Sequence, residues 1–142
     1  MNQLITQLRE EHVEITRLLD AMAEICEKDN ETEGKAFIED MVELKKVLVA
    51  HLDLEDKLVY PKLISSQDSE IKKLGKNFSN EMLGITKVAL KYFEDYSEKE
   101  CKKLKNDPKF KKDTQLINKA VRKRVELEES ILYPAFEKEN KK

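Results

Sequence analysis

HLDLEDKLVYP, His51 to Pro61, returns 73 residues later as RVELEESILYP, Arg124 to Pro134. Leu54, Glu55, Tyr60 and Pro61 meet Leu127, Glu128, Tyr133 and Pro134 at that offset, and upstream Phe37 meets Phe110. An earlier segment repeats too: EHVEITRLL, Glu11 to Leu19, matches EMLGITKVA, Glu81 to Ala89, at an offset of 70, pairing Glu11 with Glu81, Ile15 with Ile85 and Thr16 with Thr86. A repeat of this length marks two copies of one supersecondary unit. It predicts two helical hairpins about a pseudo-twofold axis, relating residues of about 4–63 to about 74–136.

The rest of the chain supports helices. Charged residues make up 39% of the sequence, and three glycines and three prolines leave little punctuation for a sheet. Ile5, Leu8, His12, Ile15, Leu19, Met22 and Cys26 fall three and four apart, the spacing of one helical face, so a first helix is expected from Leu4 to Cys26. KDNETEG, Lys28 to Gly34, breaks it, with Thr32 as candidate N-cap of the second helix. The second stripe is Phe37, Met41, Leu44, Leu48, His51, Glu55 and Leu58, and Pro61 is expected to kink or end that helix near Tyr60. After the polar SSQDSE, Ser65 to Glu70, a third helix from Ile71 to Leu104 carries Phe78, Met82, Ile85, Ala89, Tyr92 and Tyr96, with Gly75 and Gly84 as weak points. KNDPK, Lys105 to Lys109, leads to a fourth with Phe110, Ile117, Val121, Arg124, Glu128 and Ile131 inward. The fold class is all-α: residues 1–142 form a single domain, an up-down-up-down four-helix bundle.

Charge and hydropathy exclude several roles. A net charge of −2, spread evenly, offers no field for nucleic acid or an anionic membrane, and the basic run KFKKDTQLINKAVRKR, Lys109 to Arg124, reads as a solvated helix face. No apolar run reaches the ~18 residues of a membrane span. MNQLITQLREEH lacks the regions of a secretory signal, so a cytoplasmic location is expected. Cys26 and Cys101 form no metal-binding or redox spacing and are expected to be free thiols.

One level of the bundle core is polar: His12, His51, Glu55, Met82, Arg124 and Glu128 all fall on inward stripes. A lone histidine in a seam is usually a hydrogen-bonded core residue, but both histidines of this chain are seam residues, and His51 precedes Glu55 by one helical turn. A buried carboxylate needs a cation or a proton, so Glu55 and Glu128 require something positive between them. Arg124 can supply a fixed charge there and cannot be a metal ligand; Met82 is a poor ligand for iron among carboxylates and reads as core filler.

LREEHVEITRLL around His12, the H-x-x-x-E element of HLDLEDKLVYPKL and its degenerate copy RVELEESILYPAF resemble the hemerythrin family, in its HHE cation-binding branch, over nearly the whole chain. The resemblance implies a four-helix bundle with two irons, one served by His12, His51 and Glu55, with Glu128 as the second bridging carboxylate. Histidines expected at the second iron are replaced by Met82 and Arg124. The reading is therefore a depleted site, in which His12, His51, Glu55 and Glu128 hold one divalent ion, iron or zinc, and Arg124 replaces the other. A metal-free bundle acting as a regulatory or protein-interaction module is the alternative, and an intact di-iron dioxygen carrier or redox enzyme ranks behind both. No enzymatic activity is expected. The ion is the one partner named, without nucleic acid or membrane; a protein partner or self-association stays open.

Overall fold

The computed structural model describes residues 3–27, 34–96 and 108–141. They form α1 (Gln3–Glu27), α2 (Gly34–Leu54), α3 (Tyr60–Ile64), α4 (Ser69–Tyr96), α5 (Pro108–Leu127) and α6 (Tyr133–Asn140). A π-helical turn, Glu55–Val59, carries α2 into α3, and a second, Glu128–Leu132, carries α5 into α6. The described residues thus make four rods and no strand. The seven-residue KDNETEG segment apart from Gly34, the proposed Thr32 cap, Cys101 and the end of the third expected helix lie outside the described residues.

Packing follows chain order. α1 lies against α2 and α5, and α4 against α2, α3 and α5, as in a bundle of antiparallel neighbours. The link between α3 and α4 is tight because side chains satisfy its backbone: Asp68 N–H donates to Ser66 Oγ, while Asp68 Oδ1 accepts from the amides of Glu70 and Ile71 and so caps α4. Just beyond, α4 meets α3 at Gly75, where a Cβ would stand 2.7 Å from that of Leu63. Only glycine permits that approach. Phe37 and Phe110, mates in the repeat, meet edge to face at 5.1 Å, so the two halves touch at this pair.

The seams are buried as the periodicity requires, from Ile5 to Met22 in α1 and at Phe37, Met41, Leu44 and Leu48 in α2. Ile85 is half-buried against the apolar cluster around Phe78, and two expected core residues are exposed. Leu58 is 50% exposed and Ile131 is 43% exposed, while their neighbours Val59 and Leu132 are fully buried. The π turns are the cause: the Tyr60 amide bonds to the Glu55 carbonyl and the Tyr133 amide to the Glu128 carbonyl, five residues back, which adds a residue to one turn and moves the inward stripe forward by one. Of the two outcomes expected at Pro61, a kink or an end, the end does not occur. The rod does not end near Tyr60 but continues as α3 to Ile64, with Pro61 in the first turn of α3. That is the place where a missing amide hydrogen does least harm.

Apolar residues collect in two clusters, one around Phe37, Tyr92, Tyr96 and Phe110, the other around Val59, Phe78, Leu132 and Phe136. Both π turns open with a buried glutamate, Glu55 in one and Glu128 in the other.

Candidate metal centre

The four residues named from sequence converge. His12 of α1, His51 of α2 and the glutamates that open the two π turns, Glu55 and Glu128, are each no more than 2% exposed, and one ligand atom from each lies within 4.8 Å of all the others. His12 Nε2 is 2.8 Å from Glu128 Oε1 and 3.1 Å from His51 Nε2; His51 Nε2 is 3.3 Å from Glu128 Oε1 and 3.5 Å from Glu55 Oε2. His51 and Glu55 share a face because they are one turn apart on one rod.

Two further carboxylates aim the imidazoles. His12 Nδ1–H donates to Glu129 Oε2 at 3.0 Å, and His51 Nδ1–H donates to Glu11 Oε1 at 2.8 Å. With Nδ1–H given to these carboxylates, Nε2 of each ring faces inward, where an unprotonated Nε2 presents its lone pair, the arrangement of a histidine held ready for a metal, and a protonated one presents an N–H to Glu128. Without protons, two Nε2 atoms 3.1 Å apart beside two carboxylate oxygens make a site crowded with acceptors. Protons fill part of the gap. Burial works against an imidazolium at His51, but the bonds to Glu128 and Glu55 prevail and raise its pKa to about 10. Burial raises Glu55 to about 7, partly opposed by the bond from His51. Glu128 goes the other way: burial is outweighed by hydrogen bonds from His12 and His51, which hold its carboxyl well below the usual range.

The donor set fits a metal ion. Bonds of about 2.0–2.1 Å to nitrogen or oxygen place neighbouring ligand atoms roughly 3.0–3.4 Å apart in octahedral or tetrahedral geometry; the four close donor pairs here run from 2.8 to 3.5 Å, and all four donor atoms lie within 4.8 Å of one another. Glu55 Oε1 is buried with no hydrogen-bond partner, which costs free energy unless a cation sits near it. Imidazole and carboxylate together suit iron or zinc.

On the far side of Glu128 stands Arg124, 4% exposed. Its Nε donates to Glu128 Oε2 at 3.1 Å, and its Nη2 donates to Tyr60 Oη and to the Phe78 carbonyl, both at 2.9 Å, with the guanidinium 4.5 Å over the Phe78 ring. The sequence reading placed a fixed positive charge between Glu55 and Glu128, in contact with at least one of them, and the contact with Glu128 is present. Of these two carboxylates the guanidinium reaches Glu128, and its Nη1 also lies 3.7 Å from Oε2 of the exposed Glu81; Glu55 turns to the other side, where Tyr133 Oη donates to Glu55 Oε2 at 2.9 Å. Glu128 therefore offers one oxygen to the histidines and the other to the guanidinium. Met82 is 5% exposed and lies, with Arg124, His51 and Glu128, around a void of about 10 Å³, room for one water at most.

Sequence reasoning missed three members of the centre. Glu11 was seen only as a repeat marker, although it precedes His12; Glu129 was not singled out, although it follows Glu128. Tyr133 was also taken as a repeat marker, yet it is fully buried with its hydroxyl among the four candidate ligands. Its signal was position: a tyrosine five residues after each seam glutamate.

The family comparison agrees with the geometry. The model of the hemerythrin HHE cation binding domain matches residues 3–136. No curated protein and no solved structure matches the chain.

Proposed function

The chain belongs to the hemerythrin HHE cation-binding family, and from that premise we propose that it is a metal-binding module whose centre takes one ion, iron or zinc, through His12, His51, Glu55 and Glu128. One observation carries the reading: four buried donor atoms stand at ligand-to-ligand spacing with an unpartnered carboxylate oxygen on Glu55. Glu11 and Glu129 orient the imidazoles, and the apolar residues around the centre keep water out. Arg124 supplies the second positive charge that a two-metal site would need and blocks a second ion by repulsion. A bound iron would supply redox and small-ligand chemistry, a bound zinc only a structural link among the rods. The role proposed is binding or sensing rather than catalysis, at a cytoplasmic location. No helix among the described residues is long and apolar enough to cross a membrane.

The test is metal content per chain after expression in medium supplemented with iron and zinc and purification without chelator. About one equivalent is expected in the parent, with loss in His51→Ala. A folded parent that retains none and takes up none on titration overturns the reading and leaves the alternative, a metal-free bundle for protein interaction. The raised pKa of His51 supports that alternative, since an imidazolium there can neutralise Glu128 without any ion.

A further inference from the structure

Arg124 and Tyr60 show how this fold surrounds a cation. Tyr60 and Tyr133 are mates in the repeat, each five residues after a seam glutamate and each carried inward by a π turn. In the second half of the layer the cation is the guanidinium of Arg124, and beside the Phe78 carbonyl and the exposed Glu81 its partners include Glu128 at 3.1 Å and the hydroxyl of Tyr60 at 2.9 Å. The tyrosine of one half thus closes the cation position of the other. The same crossing brings Tyr133 to the opposite position: its Oη is 2.9 Å from Glu55 Oε2, 3.0 Å from His12 Nε2, 3.2 Å from Glu128 Oε1 and 3.4 Å from His51 Nε2.

Those four distances fall within the 2.8–3.5 Å of the close contacts among the four candidate ligands themselves. The hydroxyl oxygen is therefore one more vertex of the donor set, and its ring is fixed by full burial and by stacking on His12 at 5.3 Å. We propose that Tyr133 is a fifth ligand, its phenolate oxygen bound to the ion, and that it biases the centre toward ferric iron over zinc. The inference rests on the metal reading above. When the ion binds, the Oη–metal bond forms and the Oη–H bond breaks, the proton leaving by way of its acceptor Glu55 Oε2 to bulk solvent, and the ion's charge has to offset the burial and the Glu128 and Glu55 carboxylates that push this hydroxyl's pKa up; with iron supplied in the ferric state no electron moves. A phenolate is a hard anionic donor, matched to a trivalent ion rather than to zinc.

The experiment adds iron(III) as its citrate complex to the parent, to Tyr133→Phe and to Tyr60→Phe, removes the excess, and records iron per chain and the visible spectrum. Tyr92 and Tyr96, bonded to Thr114 and Asp113, belong to the other apolar cluster. The expected result is a phenolate-to-iron charge-transfer band, with tyrosine ring modes enhanced in resonance Raman, in the parent and in Tyr60→Phe. Tyr133→Phe should lose the band, and its preference for ferric iron over zinc should fall at least about tenfold, since losing even an outer-shell partner costs about 10–100-fold in metal affinity. A parent that binds iron without the band, or a Tyr133→Phe protein that keeps it, overturns this inference and leaves the metal reading standing. A parent that binds neither iron nor zinc overturns both. Should Tyr133→Phe not fold, the parent and Tyr60→Phe spectra decide: a band common to both supports Tyr133, and its absence from either overturns it.

Discussion

Arg124→Ala in the presence of chelator probes the charge arrangement most directly. The guanidinium makes three hydrogen bonds, to Glu128, Tyr60 and the Phe78 carbonyl, and it is almost completely buried. Truncation strips Glu128 of its fixed counter-charge and leaves the Tyr60 hydroxyl short of a partner. Removing one member of a buried ion pair costs roughly 3–5 kcal/mol. Unfolding entropy of about 2.1 cal/mol/K per residue gives this chain about 0.3 kcal/mol/K, so the low end of that range lowers Tm by about 10 °C. Metal should undo much of the loss: an ion that binds only the folded state, at about 100 times its Kd, returns roughly 2.7 kcal/mol. Urea and thermal melts of parent and variant, each in chelator and with excess zinc, read both effects. An Arg124→Ala protein within about 0.5 kcal/mol of the parent in chelator would refute the claim that this charge holds the layer together.

The metal-free protein should lose stability as pH rises from about 5 to about 10. Glu55, raised to about 7, and His51, raised to about 10, both bind protons more tightly folded than unfolded, so their contributions are full below their ordinary values and vanish as pH passes those points. Chelator-treated melts across that range should fall by a few kcal/mol, and a flat or rising profile would contradict the cluster's electrostatics. Gly75→Ala should destabilise by about 1–3 kcal/mol, since its methyl meets Leu63. Gly84→Ala, with nothing within 4 Å, should instead stabilise by about 0.5–1 kcal/mol, and equal effects at the two positions would exclude the close approach of α3 and α4. Met82→His with Arg124→His should raise metal uptake by about one ion per chain, because an imidazole at 124 stands before Glu128 as His51 stands before Glu55, and the repelling charge is gone. Unchanged stoichiometry in the folded double variant would mean the second position is closed.

The sequence carried the bundle and the four convergent residues because both follow from a 3.6-residue period and a repeat. It lost accuracy where that period changes. Leu58 and Ile131 were assigned inward by counting three from Glu55 and Glu128, and the π turns put Val59 and Leu132 there instead. Both alternatives are apolar, so composition could not separate them. Partners within the layer were less legible still. Whether Arg124 reaches Glu55 or Glu128 depends on which side of the seam each carboxylate faces, and periodicity does not encode that. Tyr133 was hidden for a related reason: an aromatic on a core stripe reads as packing, and only the position of its hydroxyl, set by the π turn, shows otherwise.

The two halves began alike in pattern and differ in what makes them neutral. With neutral imidazoles, Glu55 and Glu128 carry two negative charges in a region that excludes water, and Arg124 answers one of them permanently. One net negative charge remains, and two occupants can meet it. A proton can do so, as the raised values of His51 and Glu55 show, or a metal ion can, displacing those protons as it binds. A second metal ion would find no negative charge left to balance it. The stoichiometry of about one thus follows from charge as well as from ligand count, and ion uptake must release protons. Its apparent affinity should climb with pH up to about 10, where His51 has given up its proton. Titrations of zinc into the chelator-free protein between pH 6 and pH 9 should therefore tighten by up to about tenfold per pH unit for each proton displaced. An affinity independent of pH over that range would mean that His51 is not a ligand, and with it the shared role of Glu128 between ion and guanidinium would lose its support.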